Sequence, residues 1–195
     1  MLPLLPGLLP DRAVLLDERN RPDFPDVFVA QARRATEIRV AVTRVRLSTV
    51  YLGPKELEGL RSFRVLISEV NALNLDAEAS GLLQQPKRAP NVRLLTTMLE
   101  EGRLEVRSAP LGGWSPDFSV FSEDRGPLAV LSGFHWFERP YPYRGPALAS
   151  LHGPDAARLA RVRHEELWEG AHDVGPALWS ILARADTRVR TAGTG

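Results

Sequence analysis

Apolar residues recur along this chain with two different periods, and the switches between them set out the elements. Val27, Phe28, Ala30, Ala32 and Ala35 fall along one side of a segment running from Asp23 to Ala35. That spacing predicts an amphipathic helix, with Asp23 or Asp26 as its cap and Pro25 early, where a missing N–H is harmless. Ile38 to Leu47 alternates instead, so Ile38, Val40 and Val42 share one face of a predicted strand. Pro54 introduces a short helix over Lys55–Leu60, and Phe63, Val65 and Ile67 alternate in a second strand that fades at Ser68 and Glu69. Residues 71–89 have no clear period and read as a loop with a helical turn. Helical spacing returns at Val92, Leu95, Met98 and Leu99, in a helix over Pro90–Glu101 that Gly102 ends.

Strand signals crowd the next stretch. Leu104–Val106 begins a strand, and Asp117–Ser122 and Leu128–Leu131 form two more around a polar turn at Glu123–Gly126. Residues 139–145, RPYPYRG, are a turn-rich loop, and Ala147–Leu151 reads as a last strand. Pro154–Ala171 is a predicted helix with Leu159, Val162 and Leu167 on its inner side, followed by a second helix over Gly175–Ala185. Helix–strand alternation followed by closely spaced strands predicts an α/β fold, a mixed β-sheet flanked by helices. The expected organisation is an extended N-terminal arm over residues 1–22, one domain over 23–185 and a flexible tail over 186–195.

Composition narrows the function classes. The chain has 195 residues, enough for a single domain with a core, and a formal net charge of only +1. No global field announces a polyanionic partner. Of 25 basic residues only Lys55 and Lys87 are lysine, so arginine supplies the planar forks that suit phosphates and carboxylates. Cysteine is absent, which excludes disulfides, thiolate metal sites and a cysteine nucleophile, and fits a cytoplasmic protein or a thermophile that avoids labile residues. The opening MLPLLPGLLP is apolar but broken by three prolines and carries no basic leader. It is too short to cross a bilayer and reads as an arm, residues 1–10, that packs on the body or on a protein partner.

Residues 115–138, SPDFSVFSEDRGPLAVLSGFHWFE, have the frame of an active-site segment: a short strand, a polar turn, an apolar strand and a return to the surface. With the strands EIRVAV and FRVLIS, the Gly-ended helix leading into LEVRSAP, and the helix HEELWEGAHD, this frame resembles the phospholipase D-like superfamily, in particular its compact nuclease and helicase-associated members. The resemblance spans about residues 24–174. It implies a homodimer in which two copies of a His-x-Lys motif meet, one histidine attacking phosphorus and the other protonating the leaving oxygen. Here Ser115-Pro116-Asp117 stands where His-x-Lys belongs, and Ser132-Gly133-Phe134-His135 stands where Gly-Ser-x-Asn belongs. An aspartate repels the phosphate that a lysine would clamp, and a serine without an adjacent base is a poor nucleophile. The expectation is therefore a pseudoenzyme with no catalytic residues, His135 being the one residual candidate, and with no cofactor and no metal.

Binding residues follow from the arginines and aromatics. Arg44 and Arg46 interrupt the alternation at the end of the first predicted strand, and with Arg39 they can line a phosphate-binding wall. Lys87, Arg88 and Arg93 form a second basic cluster able to track a nucleic-acid backbone. Trp136, Tyr141 and Tyr143 can stack on bases or hold an interface, and join Ser115, Asp117, Ser132 and His135 around the expected cleft. His164, Glu165, Glu169 and His172 lack metal-protease spacing and read as polarity of a surface helix. The leading expectation is a dimeric DNA- or RNA-binding or accessory subunit in DNA processing, repair or defence. The alternative is a ligand-sensing or structural module that holds a small molecule or a protein partner in the ancestral cleft.

Overall fold

The computed structural model describes residues 14–16, 24–42, 52–68, 89–109, 118–132 and 149–192. Its elements in chain order are β1 (Val14–Leu16), α1 (Phe24–Ala32), β2 (Glu37–Val42), α2 (Pro54–Glu58), β3 (Ser62–Ile67) and α3 (Ala89–Glu100). There follow β4 (Leu104–Ser108), β5 (Phe118–Glu123), β6 (Gly126–Ser132), β7 (Ala149–His152), α4 (Pro154–Glu169), β8 (His172–Asp173) and α5 (Gly175–Ala192). The strands make one sheet of eight in the order β1-β7-β6-β5-β2-β3-β4-β8. β2, β3 and β4 run parallel, and every other pairing is antiparallel.

The period-2 pattern puts a different chemistry on each face of this sheet. Ile38, Val40 and Val42 of β2, Phe63, Val65 and Ile67 of β3, and Leu104 and Val106 of β4 turn to one side. There they meet Phe28 and Ala32 of α1, Leu57 of α2, Val92, Leu95 and Met98 of α3, and Leu178 and Leu182 of α5. Phe28 and Phe121 pack edge to face, with ring centroids 4.9 Å apart. The other side is crossed by α4, and its core is small: Ala41, Leu66, Ala109 and Trp168, then Val120, Val130 and Ala157. The strands also present Arg39, Arg64, Glu105 and Arg107 to α4, as their contacts with it and with one another show.

Two turns require glycine. Gly102 ends α3 at φ 68° and Gly126 closes the β5–β6 hairpin at φ 126°, both in the region that L side chains avoid. At α2, Glu56 reaches back to the Gly53 N–H at 2.9 Å, which holds a helix too short to persist by itself.

The structure corrects four expectations about the elements. The inner side of α4 is Ala157, His164 and Trp168, while Leu159 is 75% exposed and Val162 55% exposed. Polar strand residues wait on that side, so the helix turns its polar and aromatic residues inward and leaves two aliphatic ones in water. The last helix does not stop at Ala185 but continues to Ala192, into the segment expected to be a flexible tail. Val14–Leu16, within the expected arm, is an edge strand paired with Leu151, Ser150 and Ala149 of β7. Ala30 of α1 is exposed, although its spacing predicts an inward position.

Phe121 is fully buried in the larger core and Leu159 is not, so the two positions should respond oppositely to polar or truncating change. Phe121→Ala is expected to cost about 3–5 kcal/mol in urea unfolding, and Leu159→Ser less than about 0.5 kcal/mol. A cost above about 2 kcal/mol at Leu159 would put that face of α4 inside a core after all.

Candidate nucleic-acid interface

Strand polarity gathers the longer connections at one edge of the sheet. Because β2, β3 and β4 are parallel, Val42, Ile67 and Ser108 end on the same edge. Antiparallel pairing brings Phe118, where β5 begins, beside Ala41, and Ser132, where β6 ends, beside Phe118. Ser150 of β7 lies opposite Ser132. Residues 17–23 leave this edge after β1, as do the four connections 43–51, 69–88, 110–117 and 133–148, whereas the opposite edge is closed by short turns at 33–36, 59–61, 101–103 and 124–125. In open α/β sheets the crevice outside the carboxyl ends of parallel strands is the usual ligand position.

The residues singled out from the sequence distribute unevenly over this geometry. Arg44, Arg46, Lys87, Arg88, Ser115, Asp117, His135, Trp136, Tyr141 and Tyr143 lie outside the described residues, on those four connections. Arg93 is exposed on α3, near the helix end that residues 69–88 enter. Ser132 is half-buried at the end of β6.

Arg39 belongs elsewhere. It is 3% exposed beneath α4, its Nε donates to Glu37 Oε1 at 2.6 Å, and its Nη1 donates to Glu165 of α4. A guanidinium so enclosed and so occupied is a structural charge and has no fork left for a phosphate. The network continues through Arg64, which reaches Glu105 at 2.9 Å and Glu165 at 3.7 Å, and through Arg161, 3.6 Å from Glu37. Burial pushes the Glu165 carboxyl toward neutrality, but the hydrogen bond from Arg39 and the charges of Arg39 and Arg64 outweigh it and hold the group below the usual carboxylate range.

His164 and Trp168 stand beside this network. His164 is fully buried, not part of a polar helix surface as its neighbours in sequence suggest. Its Nε2 donates to the Val40 carbonyl at 3.2 Å, and its Nδ1 has no hydrogen-bond partner. The ring stacks on Trp168 with centroids 5.4 Å apart. Arg107 covers the Trp168 ring at 4.7 Å and donates to the Trp168 carbonyl at 3.2 Å. Burial first, then the charge of Arg39, pushes the His164 pKa down to about 4. Among the described residues no three histidine, aspartate or glutamate side chains converge on a metal position.

The site residues missed from sequence are Ser150 and His152. Ser150 Oγ is 2.8 Å from Ser132 Oγ, and His152 Nε2 is 2.8 Å from the same Ser150 oxygen. Ser150 and His152 are two apart on one strand and so share a face, but the link to Ser132 needs the β6–β7 register, which no local pattern carries.

No protein-family model matches the chain, and neither does any curated protein. Solved structures do resemble it. One is TrmBL2, described as an archaeal chromatin protein that shows a novel mode of DNA binding, at TM-score 0.51 and 16% identity, over 86% of this chain and 56% of that one. Another is NucT from Helicobacter pylori, at TM-score 0.50 and 11% identity, over 83% and 98%. A third is Nuc from Salmonella typhimurium, described as a phospholipase D family member, at TM-score 0.49 and 9% identity, over 83% and 97%. This chain spans little more than half the length of TrmBL2. At such identities the likeness is one of fold, and the fold is the α/β mixed sheet flanked by helices that the phospholipase D-like resemblance implies.

His164 also makes a prediction with a definite sign. Its folded pKa of about 4 lies below the ordinary 6.5, so an unfolded chain takes up a proton that the folded chain refuses between those values. Its neutral form therefore contributes stability that is present above about pH 6.5 and is lost as pH falls toward about 4. The loss should reach about 3 kcal/mol in denaturant unfolding. His164→Gln, which cannot titrate, should flatten the slope in that window; an unchanged slope would count against a neutral buried His164.

Proposed function

We propose that this protein is a nucleic-acid-binding homodimer of phospholipase D-like fold that no longer cleaves its ligand, acting as an accessory subunit in DNA processing. The observation that carries this reading is the polarity of the sheet. One edge sends out the four connections on which Arg44, Arg46, Lys87, Arg88, Trp136, Tyr141 and Tyr143 occur, and Arg93 sits near the adjoining end of α3. Arginine forks grip phosphodiester oxygens and aromatic rings stack on bases, the combination that single-strand binding uses. TrmBL2, whose fold the chain shares, is described as binding DNA, which supports the same reading.

Loss of cleavage follows from residue chemistry. Attack on phosphorus needs a nucleophile with a pKa suited to the task and cations to hold the developing charge. Ser115 and Asp117 supply neither where the family pattern has histidine and lysine. The dimer is part of the same proposal: residues 115–138 are one segment that resembles the motif frame, and a twofold axis would bring two such segments together in a two-sided cleft.

Fluorescence anisotropy with labelled single- and double-stranded DNA and RNA tests the binding, with sedimentation recording the oligomer state in the same buffers. Affinity should fall steeply with salt, and the double variant Arg44→Ala, Arg46→Ala should reduce the log–log slope by about 2, close to one unit for each phosphate that an arginine neutralises. Incubation with the same substrates should leave them intact. Salt-independent binding, or a monomer that binds as tightly as any dimer, would contradict the proposal.

A further inference from the structure

Ser132, Ser150 and His152 form a chain of hydrogen bonds that ends at the ligand edge. Ser132 is the last residue of β6, and Ser150 is its register partner on β7. The Ser132 Oγ to Ser150 Oγ distance and the His152 Nε2 to Ser150 Oγ distance are both 2.8 Å, and all three residues are half-buried.

Each hydroxyl carries one proton, so the Ser150 O–H can point to only one of its two neighbours. When Nε2 of His152 is bare, Ser150 donates to it and accepts from Ser132, and the Ser132 proton is turned inward. Moving the ring proton from Nδ1 to Nε2 reverses that arrangement with no change of charge, and protonating His152 reverses it with a positive charge added. The imidazolium then donates to Ser150, Ser150 donates to Ser132, and the Ser132 proton is left to point outward. Ser132 changes from a group that offers lone pairs at the edge to a donor backed by a positive charge. The second state suits an anionic oxygen, because hydrogen bonds with an ionised partner are about twice as strong as neutral ones.

We propose that Ser132, Ser150 and His152 are a proton-linked contact for an oxyanion, in which an anionic oxygen held by the Ser132 O–H draws a proton onto His152. The oxyanion is a phosphodiester if the nucleic-acid reading above holds, on which this identification of the ligand rests, and otherwise a small tetrahedral anion. Among the described residues, the neighbouring strands bring no competing charge to His152. Val130 of β6 lies opposite it, and β1 contributes only Val14, Leu15 and Leu16. The first turns of α4 bring Asp155 and Arg158, which are paired with each other at 2.8 Å.

Calorimetric titration with sulfate, and separately with a short single-stranded DNA, tests the linkage, since neither ligand changes charge over the range used. Titrations at about pH 5.5 and about pH 7.5, each in two buffers of different ionisation heat, read affinity and protons taken up together. Binding should be about tenfold tighter at the lower pH and accompanied by net proton uptake. His152→Gln should reduce that ratio below about twofold, and Ser150→Ala should do the same although His152 is still present. Sulfate binding with uptake but no DNA binding would keep this contact and overturn the nucleic-acid reading. DNA binding without uptake would do the reverse. Full uptake in Ser150→Ala would overturn the relay, as would failure of both ligands to bind at the lower pH. A readout that needs no variant is the His152 ring titration by nuclear magnetic resonance: its midpoint should move to higher pH under saturating sulfate, and a fixed midpoint would also overturn the relay.

Discussion

A charged side chain cannot be left alone inside a protein, and Arg39, in the middle of the sheet, is almost fully buried. Its partners decide how the α4 side of the molecule is built. Glu37 comes from the same strand, and Glu165 must come from α4. Once Glu165 faces the sheet, the phase of the helix is set. His164 and Trp168 turn in with it, Ala157 rests on Val120 and Val130, and Leu159 and Val162 are carried out to solvent. Arg64 and Arg107 close over the Trp168 ring, so aromatic and cationic groups do on this face what aliphatic packing does on the other. The interaction specifies α4 more than it stabilises it, because removing Arg39 from water costs much of what its partners return.

Fixing α4 in this way has a consequence at the edge of the sheet. The helix begins near β6 and β7, where Ala157 lies over Val120 and Val130, and ends over β3 and β4, where Trp168 meets Leu66 and Ala109. Its C-terminal half thus draws away from Ser132 and Ser150 as it approaches the edge from which the four connections leave. Strand polarity and helix course together place a hydroxyl chain on the rim from which the aromatic-rich residues 133–148 and the connection holding Arg44 and Arg46 leave. The opposite rim, closed by short turns, also carries arginines, but Arg33, Arg61 and Arg103 there are paired with Glu56, Asp124 and Glu101.

How much of this was legible in the sequence follows from which interactions are local. The β2 and β3 strands were readable because Ile38, Val40 and Val42, then Phe63, Val65 and Ile67, alternate, and the end of α3 was readable because Gly102 adopts a conformation that favours glycine. The phase of α4 was not. Hydrophobicity alone selects Leu159 and Val162, while the true inner side answers to Arg39 and the Val40 carbonyl, more than a hundred residues earlier in the chain. Arg39 was misplaced for the same reason, since alternation puts it on the other face from Val40 but cannot reveal Glu165 above it. β1 and β8 were invisible because very short edge strands carry no period of their own and are defined by their partners, Leu151 and Arg107 among them. The link from Ser132 to Ser150 depends on register.

One rim of the sheet is proposed to receive a phosphodiester ligand. Titrating a short single-stranded DNA into isotopically labelled protein and mapping amide shifts tests it most directly. Perturbations should gather at Val42, Ser68, Ala109, Phe118, Ser132 and Ser150, and spare the turn at 124–125 and the outer side of α4 around Leu159. Shifts centred on that turn or on Leu159, or no shifts at saturating ligand, would contradict the account.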